Sequence, residues 1–127
     1  MGTFTRNDTE LAVDVADSGQ QRRAEAGGMT IALEQWKAGL DTVAWFADLP
    51  DGACQESHWG YCLKGAVTMR YTDGQTEHIS AGEAYYIRPG HNAHIDSDAE
   101  FVEFTRADNA PGINTVELEA NRQGQPV

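Results

Sequence analysis

The chain of 127 residues is 40% hydrophobic and carries three Trp, four Tyr and four Phe, which suits one globular domain whose core needs no disulfide or metal staple. A net charge of −11 argues against nucleic acid as a partner, because phosphate binding requires a basic surface, and it disfavours anionic membranes for the same reason. No apolar run approaches the roughly 20 residues that span a bilayer.

The first residues lack the basic-then-apolar order of a secretory signal, and Arg6 stands where a myristoylation motif requires Ser or Thr. Cys54 and Cys62 are the only cysteines, so there is no disulfide framework. The expectation is a soluble cytoplasmic protein with reduced thiols.

Residues 1–28 are polar, and within them Leu11, Val13 and Val15 alternate with smaller or polar residues. They read as an N-terminal arm or an edge strand, added to the chain's own sheet or exchanged with a second subunit. Gly27-Gly28 marks a break. From Met29 to Trp36, Met29, Ile31 and Leu33 share one face of a predicted strand. In residues 41–49, Asp41 could cap a short helical turn with Val43, Trp45, Phe46 and Leu49 as its apolar set, or the segment could be a strand. Pro50-Asp51-Gly52 ends it as a turn.

The β signal is strong from Glu56 onward. Trp59, Tyr61 and Leu63 alternate with His58, Gly60 and Cys62, which reads as sheet packing by the aromatic residues, and Lys64-Gly65 reads as a turn. Residues 66–72 are rich in β-formers, Asp73-Gly74 is a type I′ hairpin signal, and residues 75–79 return. Ala81-Gly82-Glu83 is another turn, residues 84–87 a strand, Arg88-Pro89-Gly90 a turn, and residues 100–105 a strand. Residues 114–118 could add one more, and the tail from residue 120 reads as frayed. Short strands ended by Gly or Pro every 8–12 residues or so describe an all-β sandwich or barrel spanning residues 29–119.

This order of strands and turns resembles the cupin superfamily, whose members are jelly-roll barrels (double-stranded β-helices). The superfamily motifs run G-x5-H-x-H-x3,4-E-x6-G and G-x5-P-x-G-x2-H-x3-N, and the resemblance covers residues 50–106. With Gly65 as the closing glycine of the first motif, its Glu position falls on His58 and its two His positions on Gly52 and Cys54. In the second motif Gly82 and Gly90 match, and the ligand His position falls on Ala93, with His91 and His94 on either side. The stretches HWGYCLKG and RPGH also resemble a subgroup of small single-domain bacterial cupins.

In an extended segment Cys54, Glu56 and His58 share one face, and His91 points with position 93, whereas His94 points out unless a bulge reverses it. His58, His91, Glu56, His94 and Cys54 are therefore the candidate metal ligands, and Tyr85 and Arg88 the candidate substrate contacts. Each has a plainer role open to it: a satisfied histidine, a turn cap, an exposed carboxylate or a buried thiol acting as a small hydrophobe. The set would suit Zn²⁺, Fe²⁺, Ni²⁺ or Mn²⁺, with the thiol tilting toward zinc.

The resemblance implies a divalent-metal enzyme acting on a small organic molecule as oxygenase, isomerase, cyclase or lyase. The alternative is a binding or sensor module without catalysis and with little or no metal. No G-x-S-x-G, P-loop or dinucleotide fingerprint occurs. Open sandwich edges and the superfamily habit lead to the expectation of a homodimer, built through sheet edges and the N-terminal arm.

Overall fold

The computed structural model describes residues 2–107. The expected strand at 114–118 and the tail from 120 lie outside the described residues. Among the described residues there are seven antiparallel strands: β1 (Glu10–Val15), β2 (Gly19–Ala26), β3 (Met29–Trp36), β4 (His58–Tyr71), β5 (Thr76–Ser80), β6 (Ala84–Ile87) and β7 (His91–Arg106). They are ordered β1-β2-β3-β7-β4-β5, with β6 also on β4. No helix among the described residues is long and apolar enough to cross a membrane.

Two long strands turn this one sheet into a jelly-roll barrel. The first part of β4 pairs with β6 and the C-terminal part of β7, and its second part pairs with β5 and the N-terminal part of β7. Register shifts between Cys62 and Val67 mark the bend. Gly65 sits there at φ +80°, and a Cβ would come within 2.1 Å of the Asp98 carbonyl oxygen. Lys64-Gly65 is thus a bulge inside one continuous strand, where the sequence suggests a turn. A left-handed residue and a close backbone approach both require glycine.

The N-terminal stretch enters the sheet as β1, its edge strand, and the polar residues 19–26 form β2 beside it. Residues 41–49 are neither helix nor strand but a run of turns, started by Val43 N–H donating to Asp41 Oδ1 at 3.0 Å. From it Trp45, Phe46 and Leu49 are buried, with the Trp45 ring edge-on to Trp36 at 5.5 Å. Val43 is left exposed.

Early β4 has the faces that the shared row of Cys54, Glu56 and His58 leads one to expect, whereas in β3 the face shared by Met29, Ile31 and Leu33 is the outer one. In β3, Thr30, Ala32, Glu34 and Trp36 are buried and Met29, Ile31 and Leu33 only half-buried. In early β4, His58 and Cys62 turn inward while Trp59, Tyr61 and Leu63 are exposed. A strand's period of two identifies the two faces but not which one faces in.

Candidate metal centre

The Pro50–Gly52 turn feeds the chain into a zipped contact between Cys54 and the start of β7. Cys54 N–H donates to the His91 carbonyl at 2.9 Å, and Gly90 N–H donates back to the Cys54 carbonyl at 2.8 Å. Four residues on, β4 begins at His58. The result places Cys54 Sγ and a ring nitrogen of each of His58 and His91 within 4.8 Å of one another, all three residues buried. Cys54 Sγ is 3.6 Å from His58 Nε2, and the two imidazoles meet edge to face at 5.0 Å.

Hydrogen-bond partners hold each histidine through Nδ1. His91 Nδ1 lies 2.8 Å from the Arg88 carbonyl oxygen, which can only accept, so Nδ1 carries the proton and Nε2 the lone pair. His58 Nδ1 faces Thr105 Oγ1 at 2.7 Å and Glu103 Oε2 at 3.4 Å; in the tautomer with the proton on Nδ1 both oxygens can accept from it and Nε2 is left for the Cys54 side. Burial lowers the His58 pKa to about 4. Burial, with the neighbouring charge of His58, lowers that of His91 to about 3. Both imidazoles are neutral near pH 7, the form that binds metal.

Glu56 is nearly fully buried, with Oε2 4.0 Å from both Cys54 Sγ and His58 Nε2. A thiol, two Nε2 lone pairs and an adjacent carboxylate are a donor set that fits Zn²⁺ well and Mn²⁺ poorly. The partners on Nδ1 are the outer contacts that metal-binding histidines normally have.

These donors open into an interior cavity of about 70 Å³ with largely apolar walls that include Trp36, Trp45, Phe46, Met69 and Phe101. Gln21, Glu34, Tyr85 and Glu103 also reach it. Tyr85 O–H donates to Glu103 Oε1 at 2.9 Å, and Trp36 Nε1–H donates to Glu34 Oε1 at 2.8 Å. Gly60 makes the first bond possible. It lies between Tyr85 and Glu103 in register, and a Cβ there would stand 2.5 Å from the Tyr85 hydroxyl. Burial raises the Glu103 carboxyl to about 7, and burial together with the charge of Glu103 raises Glu34 well above the carboxylate range. Burial also raises the Tyr85 phenol, which stays protonated.

Of the residues singled out from the sequence, Cys54, His58 and His91 are brought together and Glu56 lies against them. His94 points away, half-exposed, with Nδ1 2.9 Å from Asp96 Oδ1. Tyr85 lines the cavity. The Arg88 side chain is elsewhere: its guanidinium stacks on the Tyr71 ring at 3.7 Å and pairs with Asp73 at 3.0 Å. It is the Arg88 carbonyl that serves the site, by orienting His91. Sequence reasoning did not single out Gln21, Glu34, Glu103 or Thr105. The available signal was a Glu in mid-strand among β-formers, at Ile31-Ala32-Leu33-Glu34 and Phe101-Val102-Glu103-Phe104.

The fold is that of the cupin superfamily. The chain is similar in structure to the polyketide cyclase RemF from Streptomyces resistomycificus, at 17% identity over 87% of this chain and 82% of that one, with a TM-score of 0.62. It is similar to ectoine synthase from P. lautus at 18% identity over 100% of this chain and 90% of that one, with a TM-score of 0.62. A third likeness is to an RmlC-like cupin from Shewanella frigidimarina, at 12% identity over 84% of this chain and 90% of that one, with a TM-score of 0.59. No family model matches the sequence, and no curated protein matches it.

Proposed function

We propose that this protein is a metal-dependent cupin enzyme acting on a small organic molecule, with Cys54, His58 and His91 holding a divalent cation, zinc ahead of iron, nickel or manganese. The observation that carries the reading is the cluster itself: two buried neutral imidazoles, each held through Nδ1 by a hydrogen-bond partner, stand beside a buried thiol. A bound divalent cation supplies polarisation of a substrate oxygen or activation of a water. The chain's own residues do the rest. Apolar walls exclude water and fit a small molecule rather than a polymer. The Glu103 carboxyl, with a pKa raised by burial to about 7, can hold or release a proton at a cavity oxygen near neutrality, and Tyr85 orients it.

A site with a zinc-type donor set and an internal proton donor suits isomerisation, cyclisation or elimination. Structures of the same fold named as a cyclase, a synthase and an oxalate decarboxylase lend support to an enzyme over a sensor module. Neither cysteine forms a disulfide, which fits the reducing cytoplasm proposed for it. The homodimer is proposed as well, and sedimentation of the full chain tests it: a monomer at micromolar concentration overturns it.

Metal analysis of protein purified without an affinity tag is the direct test of the site. Near-stoichiometric metal is expected after reconstitution with Zn²⁺, and His58→Ala and His91→Ala should each abolish it. Less than about 0.1 metal per chain, unchanged after anaerobic reconstitution with Zn²⁺, Fe²⁺, Ni²⁺ or Mn²⁺, overturns the reading.

A further inference from the structure

Buried polar atoms in folded proteins are nearly always hydrogen-bonded, so an orphan facing a cavity calls for a ligand. Three buried side-chain oxygens have no partner among the described residues: Gln21 Oε1, Thr30 Oγ1 and Glu34 Oε2. Thr30 is not on the cavity wall, but Gln21 and Glu34 are. They are directly opposed across β2 and β3, and only 1% and 7% exposed. The other Glu34 oxygen is already occupied by the Trp36 indole, and the two oxygens of Glu103 face Tyr85 and His58. Without a cation, burial keeps Glu34 protonated and hydrogen-bonded to its neighbours Glu103 and Gln21; once it is ionised, this end of the cavity offers acceptors only.

We propose that the cavity end bounded by Gln21, Glu34 and Glu103 seats a primary ammonium group of the substrate. The inference rests on the reading of this cavity as the substrate site. A hydroxyl brings one donor and would leave an acceptor orphaned, whereas a primary ammonium brings three donors and no acceptor of its own. A single positive charge also offsets two neighbouring carboxyls buried together, and the Trp36, Tyr85 and Phe101 rings on the same cavity suit an organic cation. Arg23, on β2, has its pKa lowered by burial against the opposing charges of Glu56 and then Glu34, so it shares its charge between two carboxyls. The substrate class is thus a small amine whose remaining polar group points toward the metal donors.

The test uses the Trp36 indole N–H as a local reporter, because it donates directly to Glu34. The full-length protein, metal-free and Zn²⁺-loaded, is titrated with n-propylammonium, n-propanol and propionate while the indole resonance is followed by ¹H–¹⁵N NMR. Saturable movement with propylammonium and none with propanol or propionate is expected in both forms. Glu34→Gln, close in shape and checked for folding by circular dichroism, should weaken that binding by about tenfold or more.

Equal response to propanol, or no saturable response to propylammonium, overturns the proposal. In the latter case a proton on Glu34 bridging to Gln21 satisfies both oxygens unaided. The ligand series is run on the unaltered chain, so the outcome does not depend on whether the variant folds. Zinc binding without ammonium binding sinks this inference alone, and ammonium binding without zinc sinks the metal reading alone.

Discussion

Over residues 58–63, β4 turns His58 and Cys62 inward and leaves Trp59, Tyr61 and Leu63 38%, 42% and 60% exposed. Over residues 66–71 it does the opposite, burying Val67, Met69 and Tyr71 and leaving Thr68 and Arg70 partly in solvent. The second half is ordinary sheet, with apolar residues packed inside. The first half faces Tyr85 and Glu103 across Gly60, and its inward positions carry chemistry instead of packing. The difference shows where this barrel gives up core: on the wall shared by β3, early β4 and late β7, around the metal donors and the carboxyl pair. Apolar residues displaced from that wall appear on the outside, where Trp59 lies against Tyr86 at 5.4 Å.

The hinge between the halves gives the largest expected effect. Gly65→Ala places a Cβ against the Asp98 carbonyl in a left-handed conformation, and should destabilise the fold by roughly 2–5 kcal/mol. Urea denaturation measures it, and a loss below about 1 kcal/mol would show that the bend does not need glycine.

Truncating one residue from each half comes next. Met69→Ala opens a hole in the packed half and should cost about 2–4 kcal/mol. Leu63→Ala, at an exposed position of the other half, should stay within about 0.5 kcal/mol. Equal losses would mean that the outer face of β4 is covered in solution, as a homodimer would cover it.

The functional half has its own probe in Thr105→Val. It removes the 2.7 Å partner of His58 Nδ1 while keeping the shape of the side chain. Zinc affinity should fall by about 10–100-fold, measured by competition with a chelator, with only a modest change in stability. Unchanged affinity would remove His58 from the donor set or show that Glu103 alone orients it.

Most of the fold was legible in the sequence because turns are written in residue types. Asp73-Gly74, Ala81-Gly82 and Pro89-Gly90 each fall between strands as read. Strand β2 was not legible, since its Gln, Arg and Glu give no apolar alternation, and the inward Gln21 looks like a surface residue. In β3 the shared face of Met29, Ile31 and Leu33 was legible, but nothing in the residue types says that the other face, with Glu34, is the inner one. For the metal donors, parity put Cys54, Glu56 and His58 on one row and His91 with position 93, and they lie that way. The Glu34 and Glu103 pair was out of reach, because only the β3–β7 register brings residues about 70 positions apart onto neighbouring strands.

The smallest effect is also the one that ties the two halves to pH. The folded Glu103 carboxyl has its pKa raised by burial to about 7, above the ordinary value of 4.5, so the folded chain keeps that proton longer than the unfolded one. Its contribution to stability is complete below pH 4.5 and is lost as pH rises through about 7, by up to about 1.4 kcal/mol per pH unit. The histidines act in the opposite sense: with pKa values lowered from 6.5 to about 4 and about 3, their contribution is complete above pH 6.5 and is lost as pH falls. Buried Glu34 is raised as well and adds a loss of the same sign, so Glu103→Gln should shrink the loss on the alkaline side without abolishing it and leave the acid limb in place, in urea denaturation of metal-free protein from about pH 4 to about pH 8. Met69→Leu, in the packed half where inward residues carry no charge, should keep both limbs. If Glu103→Gln leaves the alkaline limb unchanged in size, the proton is not held on Glu103 in the folded barrel, and the proton-transfer role assigned to its carboxyl falls with it.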